Sequence, residues 1–216
     1  MIKVYGLKWV PPMVQGLVRD LRLRWALEEA GLPYEEQLVG MEELASNHYR
    51  ALQPFGQIPV YQEDDLTLFE SGAIVLHIAE QSEKLMPRDH VGRANVISWM
   101  FAALNSIEPS VQHLGIMDAF SNNDAWQQLR PRAVQQIERR LDALAQRLEG
   151  RDYLVGRFTA ADILMTTVLR ILRETDLVER RYTLDRYKLR CEARPAFERA
   201  LQAQMAAYER HEPVKA

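Results

Sequence analysis

The stretch that most restricts what this chain can fold into is Pro54 to Glu80, PFGQIPVYQEDDLTLFESGAIVLHIAE. It reads as a strand carrying Ile58 and Val60, an acidic turn at Glu63-Asp64-Asp65, and a return strand carrying Leu66 and Leu68. A helix follows from about Ser71, with Ile74, Val75, Ile78 and Ala79 at helical spacing. Pro59 stands at a strand start, a position proline tolerates because it cannot donate to a ladder. A strand entered through Ile58-Pro59 leaves the backbone groups of Ile58 to pair with an extended, peptide-like ligand. The residues alone leave the isomer of that bond open. At the mouth of the helix, Ser71 can act as a cap beside an anion-binding helix end, and Glu70 supplies an acceptor for a cation. An α-amino acid group, with carboxylate and ammonium on one carbon, satisfies both.

The flanking segments fit a small α/β layer. Ile2 to Leu7 predicts a first strand, and Leu17 to Ala30 a helix with Leu17, Val18, Leu21, Trp25 and Leu27 inward and Arg22, Arg24, Glu28 and Glu29 in water. Gly31 is placed to stop it. Between strand and helix, the pair Pro11-Pro12 argues against regular structure. Tyr34 to Val39 predicts a second strand and Glu42 to Ala51 a short helix, giving the order β-α-β-α-β-β-α. After a polar connection at 82–89 the strand signals stop. Val91 to about Ala119 predicts helix with breaks at Pro109 and Gly115, and Val134, Ile137, Leu141, Leu144 and Leu148 mark the clearest amphipathic helix. Phe158-Thr159-Ala160-Ala161-Asp162 reads as a capping box with Asp in place of the usual Glu or Gln. A last helix begins near Pro195.

Composition closes several routes. The net charge of −3 gives no electrostatic case for nucleic acid or an anionic membrane. The single cysteine, Cys191, rules out a disulfide framework and a Cys-x-x-Cys redox pair. The five histidines form no metal-binding spacing, so no metal is expected. His77, within an apolar helix pattern, reads as a core histidine. No run approaches membrane-spanning length and no signal-type segment opens the chain, so a cytoplasmic protein is expected.

Gly56-Gln57-Ile58-Pro59 followed by Glu70-Ser71-Gly72-Ala73-Ile74 resembles the glutathione-binding half of the glutathione transferase family, and the capping box at Thr159 resembles the one that opens the core helix of that family's helical domain. The resemblance implies an α/β plus all-α architecture. Residues 1–81 are expected to form a thioredoxin-like domain, 82–89 a linker, and 90–216 an all-helical bundle. It implies a cis Pro59 and glutathione as co-substrate, held by Gln57, Ile58, Pro59, Glu70 and Ser71. It implies a cytoplasmic homodimer that conjugates the glutathione thiolate to small apolar electrophiles in detoxification. A glutathione-dependent peroxidase, dehalogenase or isomerase, or a non-catalytic binding or regulatory protein, is the alternative on the same scaffold.

One element of the family pattern is missing. Between Gly6 and Leu21 there is no Ser, Thr, Tyr or Cys to meet a thiolate, and Tyr5 lies within the predicted strand. The catalytic residue is therefore unassigned, with the backbone near Gly16-Leu17, Gln15, Arg19 and Asn105 as candidate thiolate partners. The electrophile pocket is expected between the domains, with Trp9, Val10, Met13, Trp99, Phe101, Asn105, His113 and Met117 as candidate lining.

Overall fold

A computed structural model describes residues 1–121 and 123–213. By packing, the chain divides into two units. The first joins Met1–Leu85 to the segment from Arg194 on, and the second is 86–193. The helix predicted near Pro195 therefore belongs by its contacts with the N-terminal layer, on the far side of the sequence.

The first unit has the thioredoxin-like order expected. Strand β1 (Ile2–Leu7) runs parallel to β2 (Tyr34–Val39) and antiparallel to β3 (Val60–Glu63), which pairs with β4 (Leu66–Phe69) to give the sheet order β2-β1-β3-β4. The parallel pair requires a crossover, supplied by helix α1 (Asp20–Ala30). Gly31 ends α1 in a left-handed conformation, φ 73°, where a side chain would be strained. The acidic hairpin turn is tighter than the sequence suggests. Glu63 still pairs, with Leu66, and Asp64 takes the left-handed position at φ 49°, which aspartate tolerates better than most residues. Helix α2 (Asn47–Leu52) follows a single 3-10 turn and is capped by Ser46 Oγ, which accepts the Tyr49 N–H at 3.1 Å. Helix α3 (Ser71–Glu80) packs on α1.

Two expectations for α1 change. The helix begins at Asp20 rather than Leu17, because Gly16 turns the chain at φ 74° and a 3-10 turn at Pro12–Val14 absorbs the proline pair. Arg22, Arg24 and Glu29 do not face water but are 3%, 0% and 8% exposed. The reason is that α1 is covered on more than one side: Arg22 reaches Ser71 of α3, Arg24 reaches Glu36 of β2, and Glu29 lies under Arg194 at the start of helix α9 (Pro195–Arg210). Buried charge is tolerated only when paired or hydrogen-bonded: Arg22 donates to Ser71 Oγ, Arg24 pairs with Asp20 and Glu36, and Glu29 with Arg194 at 2.5 and 2.8 Å and with the Trp25 indole N–H at 3.1 Å.

The second unit is helical throughout its regular elements. Helix α4 (His90–Phe101) is capped by Asp89 and passes through a π turn at Ala102–Ile107 into α5 (Glu108–Phe120). That turn precedes Pro109, whose missing N–H and ring exclude a regular α-helical bond to the preceding turn. Gly115 causes no break. Helix α6 (Asp124–Leu148) buries Ile137, Leu141, Leu144 and Leu148, and α7 (Ala160–Leu169) is buried on every side. Thr159 and Asp162 form the capping box, with the Thr159 N–H donating to Asp162 Oδ2 at 2.9 Å. Helix α8 (Tyr182–Glu192) adds a partner that the sequence did not announce, the Tyr187 hydroxyl donating to Asp162 Oδ1 at 2.9 Å. Among the described residues no helix is long and apolar enough to cross a membrane.

Candidate functional site

The site assembles where β3 begins and α3 starts. Pairing of Val60 with Phe69 fixes the register. Pro59 directly precedes Val60 and Glu70 directly follows Phe69, so the hairpin brings these two residues to one end of the β3–β4 pair although eleven positions separate them in sequence.

The Ile58-Pro59 bond is cis. The ladder of β3 opens at Val60, so the N–H and C=O of Ile58 lie outside it. The loop leading to Ile58 is held by two side chains that sequence reasoning overlooked. Gln53, 2% exposed, accepts the N–H groups of Phe55 at 2.7 Å and Gln57 at 3.2 Å through one oxygen. Tyr49, 2% exposed, donates its hydroxyl to the Gln57 carbonyl at 2.8 Å. With both backbone groups of Gln57 engaged, its side chain is left exposed at the edge of the site. Gly56 is required here: at φ 63° a Cβ would lie 2.8 Å from the Leu44 carbonyl oxygen.

At the helix mouth the roles differ from expectation. Glu70, not Ser71, is the N-cap residue, and its side chain makes no capping bond. Its φ of 68° and ψ of 112° put a non-glycine residue in a sparsely populated region, a strain of about 1–3 kcal/mol of the kind that collects at ligand sites. The result is an exposed carboxylate projecting from a fixed backbone. Ser71 is the first helical residue and 5% exposed, and its Oγ accepts from Arg22 Nη1 at 3.1 Å. A hydroxyl that accepts from a guanidinium keeps its own proton to donate. Arg22, placed in water by the helical pattern, is instead the buried cation behind the anion-binding end of α3. Its spacing from Leu21 and Trp25 on α1 carries no signal of that role.

The candidate thiolate partners are scattered. Gln15 folds back and donates to the Val10 carbonyl at 3.0 Å. Arg19 is the N-cap residue of α1. Tyr5 gives its hydroxyl to Gln62 Oε1 at 2.7 Å and sets its ring edge against Tyr49, and burial raises its pKa. Asn105 lies exposed on the π turn of the second unit. Of the pocket candidates, Val10 belongs to the core beside Leu7, Tyr49 and Val60, and Trp9 packs against that core. Met13 and Phe101 are exposed at 53% and 55%. Trp99 lies under the Arg147 guanidinium, and His113 meets Trp126 edge-on. His77 is not a core residue: it is half-buried, within 3.1 Å of the Gln81 amide and 3.7 Å of Glu63. Among the described residues no group of three or more His, Cys, Asp or Glu is arranged to hold a metal ion.

Comparison with known proteins identifies the fold and the family. The family profile for the glutathione S-transferase N-terminal domain matches residues 14–80, and that for the glutathione S-transferase C-terminal domain matches residues 107–195. Glutathione S-transferase 4 of Zea mays is 30% identical over 186 residues, 81% of this chain and 79% of that protein. A glutathione transferase of Burkholderia graminis, crystallised with two glutathione molecules per subunit, superposes with a TM-score of 0.81 at 30% identity, covering 94% of this chain and 88% of that one. One from Pseudomonas putida, with a glutathione disulfide bound, gives 0.78 at 25% identity, covering 93% and 90%. A thioredoxin-like layer with a cis-proline entry, a buried serine at a helix mouth and a helical second unit thus coincide with sequence kinship across most of the chain: it belongs to the glutathione S-transferase family.

Proposed function

We propose that this protein binds glutathione at Gln57, Ile58, Pro59, Glu70 and Ser71 and conjugates its thiolate to small apolar electrophiles. The observation that carries the reading is an Ile58 backbone outside the ladder at one end of the β3–β4 hairpin, with a strained Glu70 and a hydrogen-bonded Ser71 following the other strand. Ile58 takes the cysteinyl backbone in two strand-like hydrogen bonds. Glu70 takes the γ-glutamyl ammonium, and the Ser71 hydroxyl with the positive end of α3 takes its carboxylate. The thiol then lies toward the start of α1. The segment between Gly6 and Leu21 carries no Ser, Thr, Tyr or Cys, so the thiolate is stabilised by the turn at Gly16–Arg19 and by the helix end. Each unit of pKa depression below the free value of about 8.5 requires roughly 1.4 kcal/mol. The working form is a cytoplasmic homodimer.

A second reading is favoured by the disulfide held in the Pseudomonas putida relative. The same bound thiolate attacks a mixed disulfide of glutathione, forming glutathione disulfide and releasing the other thiolate. No protein thiol takes part, because Cys191 is 0% exposed.

The test is ultraviolet titration of the thiolate of bound glutathione. The expected result is binding with a thiol pKa well below the free value. Binding with an unshifted pKa would leave a carrier or regulator, and no binding would remove the reading. Incubating the loaded protein with an aryl halide and, separately, with a mixed disulfide separates the two chemistries.

A further inference from the structure

The last helix reaches back to the start of the first. The buried stripe of α9 runs through Ala196, Phe197, Ala200, Gln204, Ala207 and Tyr208, apolar but for the Gln204 amide and the Tyr208 hydroxyl. Attachment to the later turns of α1 is already provided: Phe197 meets Trp25 edge-on at 4.8 Å, and Arg194 forks onto Glu29. Leucine at 204 would complete that packing without a polar atom to satisfy. Gln204, 1% exposed, instead donates from Nε2 to Asp20 Oδ1 at 2.6 Å and to the Val18 carbonyl at 3.2 Å, the residues on either side of the helix cap Arg19. Among the described residues its Oε1, and the Tyr208 hydroxyl one turn on, have no hydrogen-bond partner. A buried amide left half-satisfied is unfavourable as packing. Its placement makes sense as a clamp on the entrance turn of α1.

That clamp has an electrostatic consequence. Asp20 is the first residue of α1, where a carboxylate can occupy the positive end of the helix and repel a second anion. Here it is turned inward. Arg24 Nε holds Oδ2 at 2.8 Å and Gln204 holds Oδ1. Gly6 on β1 makes the room, since a Cβ there would lie 2.9 Å from Oδ2. The other titratable groups that face Asp20 are Tyr49 of α2 and Tyr208 of α9, both neutral, while Glu36 of β2 ties its partner Arg24 to Arg210.

We propose that Gln204 is a positioning residue for the glutathione thiolate: by clamping Val18 and Asp20 it fixes the entrance turn of α1 and keeps the Asp20 carboxylate away from the helix end that stabilises the thiolate. The inference rests on the thiolate reading given above.

The experiment compares the bound-thiol pKa, the glutathione Kd and the thermal midpoint of the unaltered protein with those of Gln204→Leu, Gln204→Asn and Arg199→Ala. Arg199 is on the same helix, in an exposed pair with Glu28, and serves as the control. Gln204→Leu is expected to raise the thiol pKa by about one unit, an approximately tenfold loss of thiolate at pH values below it, with Kd changed less than about threefold. Gln204→Asn, which keeps an amide on a shorter arm, gives a smaller rise and supplies the answer where the leucine variant does not fold. Arg199→Ala leaves the thiol pKa in place. A lowered thermal midpoint with an unmoved thiol pKa in the Gln204 variants, against a depressed pKa in the unaltered protein, overturns the inference and leaves the functional reading standing. An undepressed pKa in the unaltered protein overturns both.

Discussion

Two aspartates open helices with almost no exposure, and they are held in opposite ways. Asp162, at the start of α7, accepts from the Leu154 and Thr159 N–H groups, the Thr159 hydroxyl and the Tyr187 hydroxyl, all neutral donors within 25 residues. Asp20, at the start of α1, is held by the Arg24 guanidinium and by Gln204 from 184 residues away. Burial pushes both carboxyls upward. Backbone N–H donors oppose it first at Asp162, and the Arg24 charge opposes it first at Asp20. Burial works against the Arg24 charge too, but Asp20 and Glu36 outweigh it and Arg24 stays protonated. The first aspartate is a local fastener inside one unit's core. The second ties a helix start to a distant element, so its state depends on how that element is seated.

The largest effect is expected from removing the local fastener. Asp162→Ala orphans two buried N–H groups and two buried hydroxyls, and should destabilise the protein by about 3–5 kcal/mol in denaturant unfolding. A loss below about 1 kcal/mol would mean that those donors find other partners. The distant tie should be weaker because it is shared. Arg24→Met leaves Asp20 with Gln204 and leaves Glu36 with Arg210, for a loss of about 3 kcal/mol. The double variant Asp20→Leu, Arg24→Met should recover most of that, since an apolar pair replaces an ionic one. If the double variant is no more stable than Arg24→Met alone, the pairing described for Asp20 does not govern this region.

That contrast also explains what could be read from the sequence. The capping box is a spacing of three residues, so Thr159 and Asp162 announced it. The ββα stretch was equally local: alternation and turn chemistry announce its two strands, its turn and the helix from Ser71, but not that β3 opens only at Val60 or that Glu70 is the cap. Arg22, Arg24 and Glu29 were misplaced because a helical stripe shows which side is apolar but not that a second element covers the other side. Arg22 meets α3 and Arg24 meets β2, while the element over Glu29, α9, lies beyond an entire helical unit, and nothing in its own periodicity states what it packs on. Gln53 and Tyr49 were missed for a related reason. Their contacts are short in sequence, yet they serve a loop whose shape depends on the cis bond and on Gly56. Glu70 was read as an acceptor, but its positive φ was not legible, since glutamate has no preference for it.

The next effect in size concerns ligand rather than fold. Ser71→Ala removes the hydroxyl proposed to meet the glutathione carboxylate and should weaken binding by about 1–3 kcal/mol in calorimetry. Ser71→Thr keeps the hydroxyl and should retain more affinity than alanine. Equal affinities for all three proteins would move the γ-glutamyl site away from α3.

The smallest effect sharpens the comparison at a partly exposed aspartate. Asp118 on α5 is held by Arg130 at 2.9 Å through both carboxylate oxygens and by the Trp126 indole N–H at 2.8 Å. The Arg130 hydrogen bond leads in lowering its pKa below the ordinary 3.8. A folded-state value below the unfolded one means that the pair stabilises the protein above the unfolded pKa. That contribution is lost as the pH falls through the folded value. Asp118→Asn should therefore lower stability at neutral pH by no more than about 1 kcal/mol, as for other partly exposed pairs, and by progressively less below pH 3.8. Unfolding curves of both proteins at neutral pH and under acid conditions measure it. A gap that stays constant into acid would assign the Asp118 contribution to its indole hydrogen bond rather than to its charge. Asp118 would then belong with Asp162, held by neutral donors, instead of with Asp20.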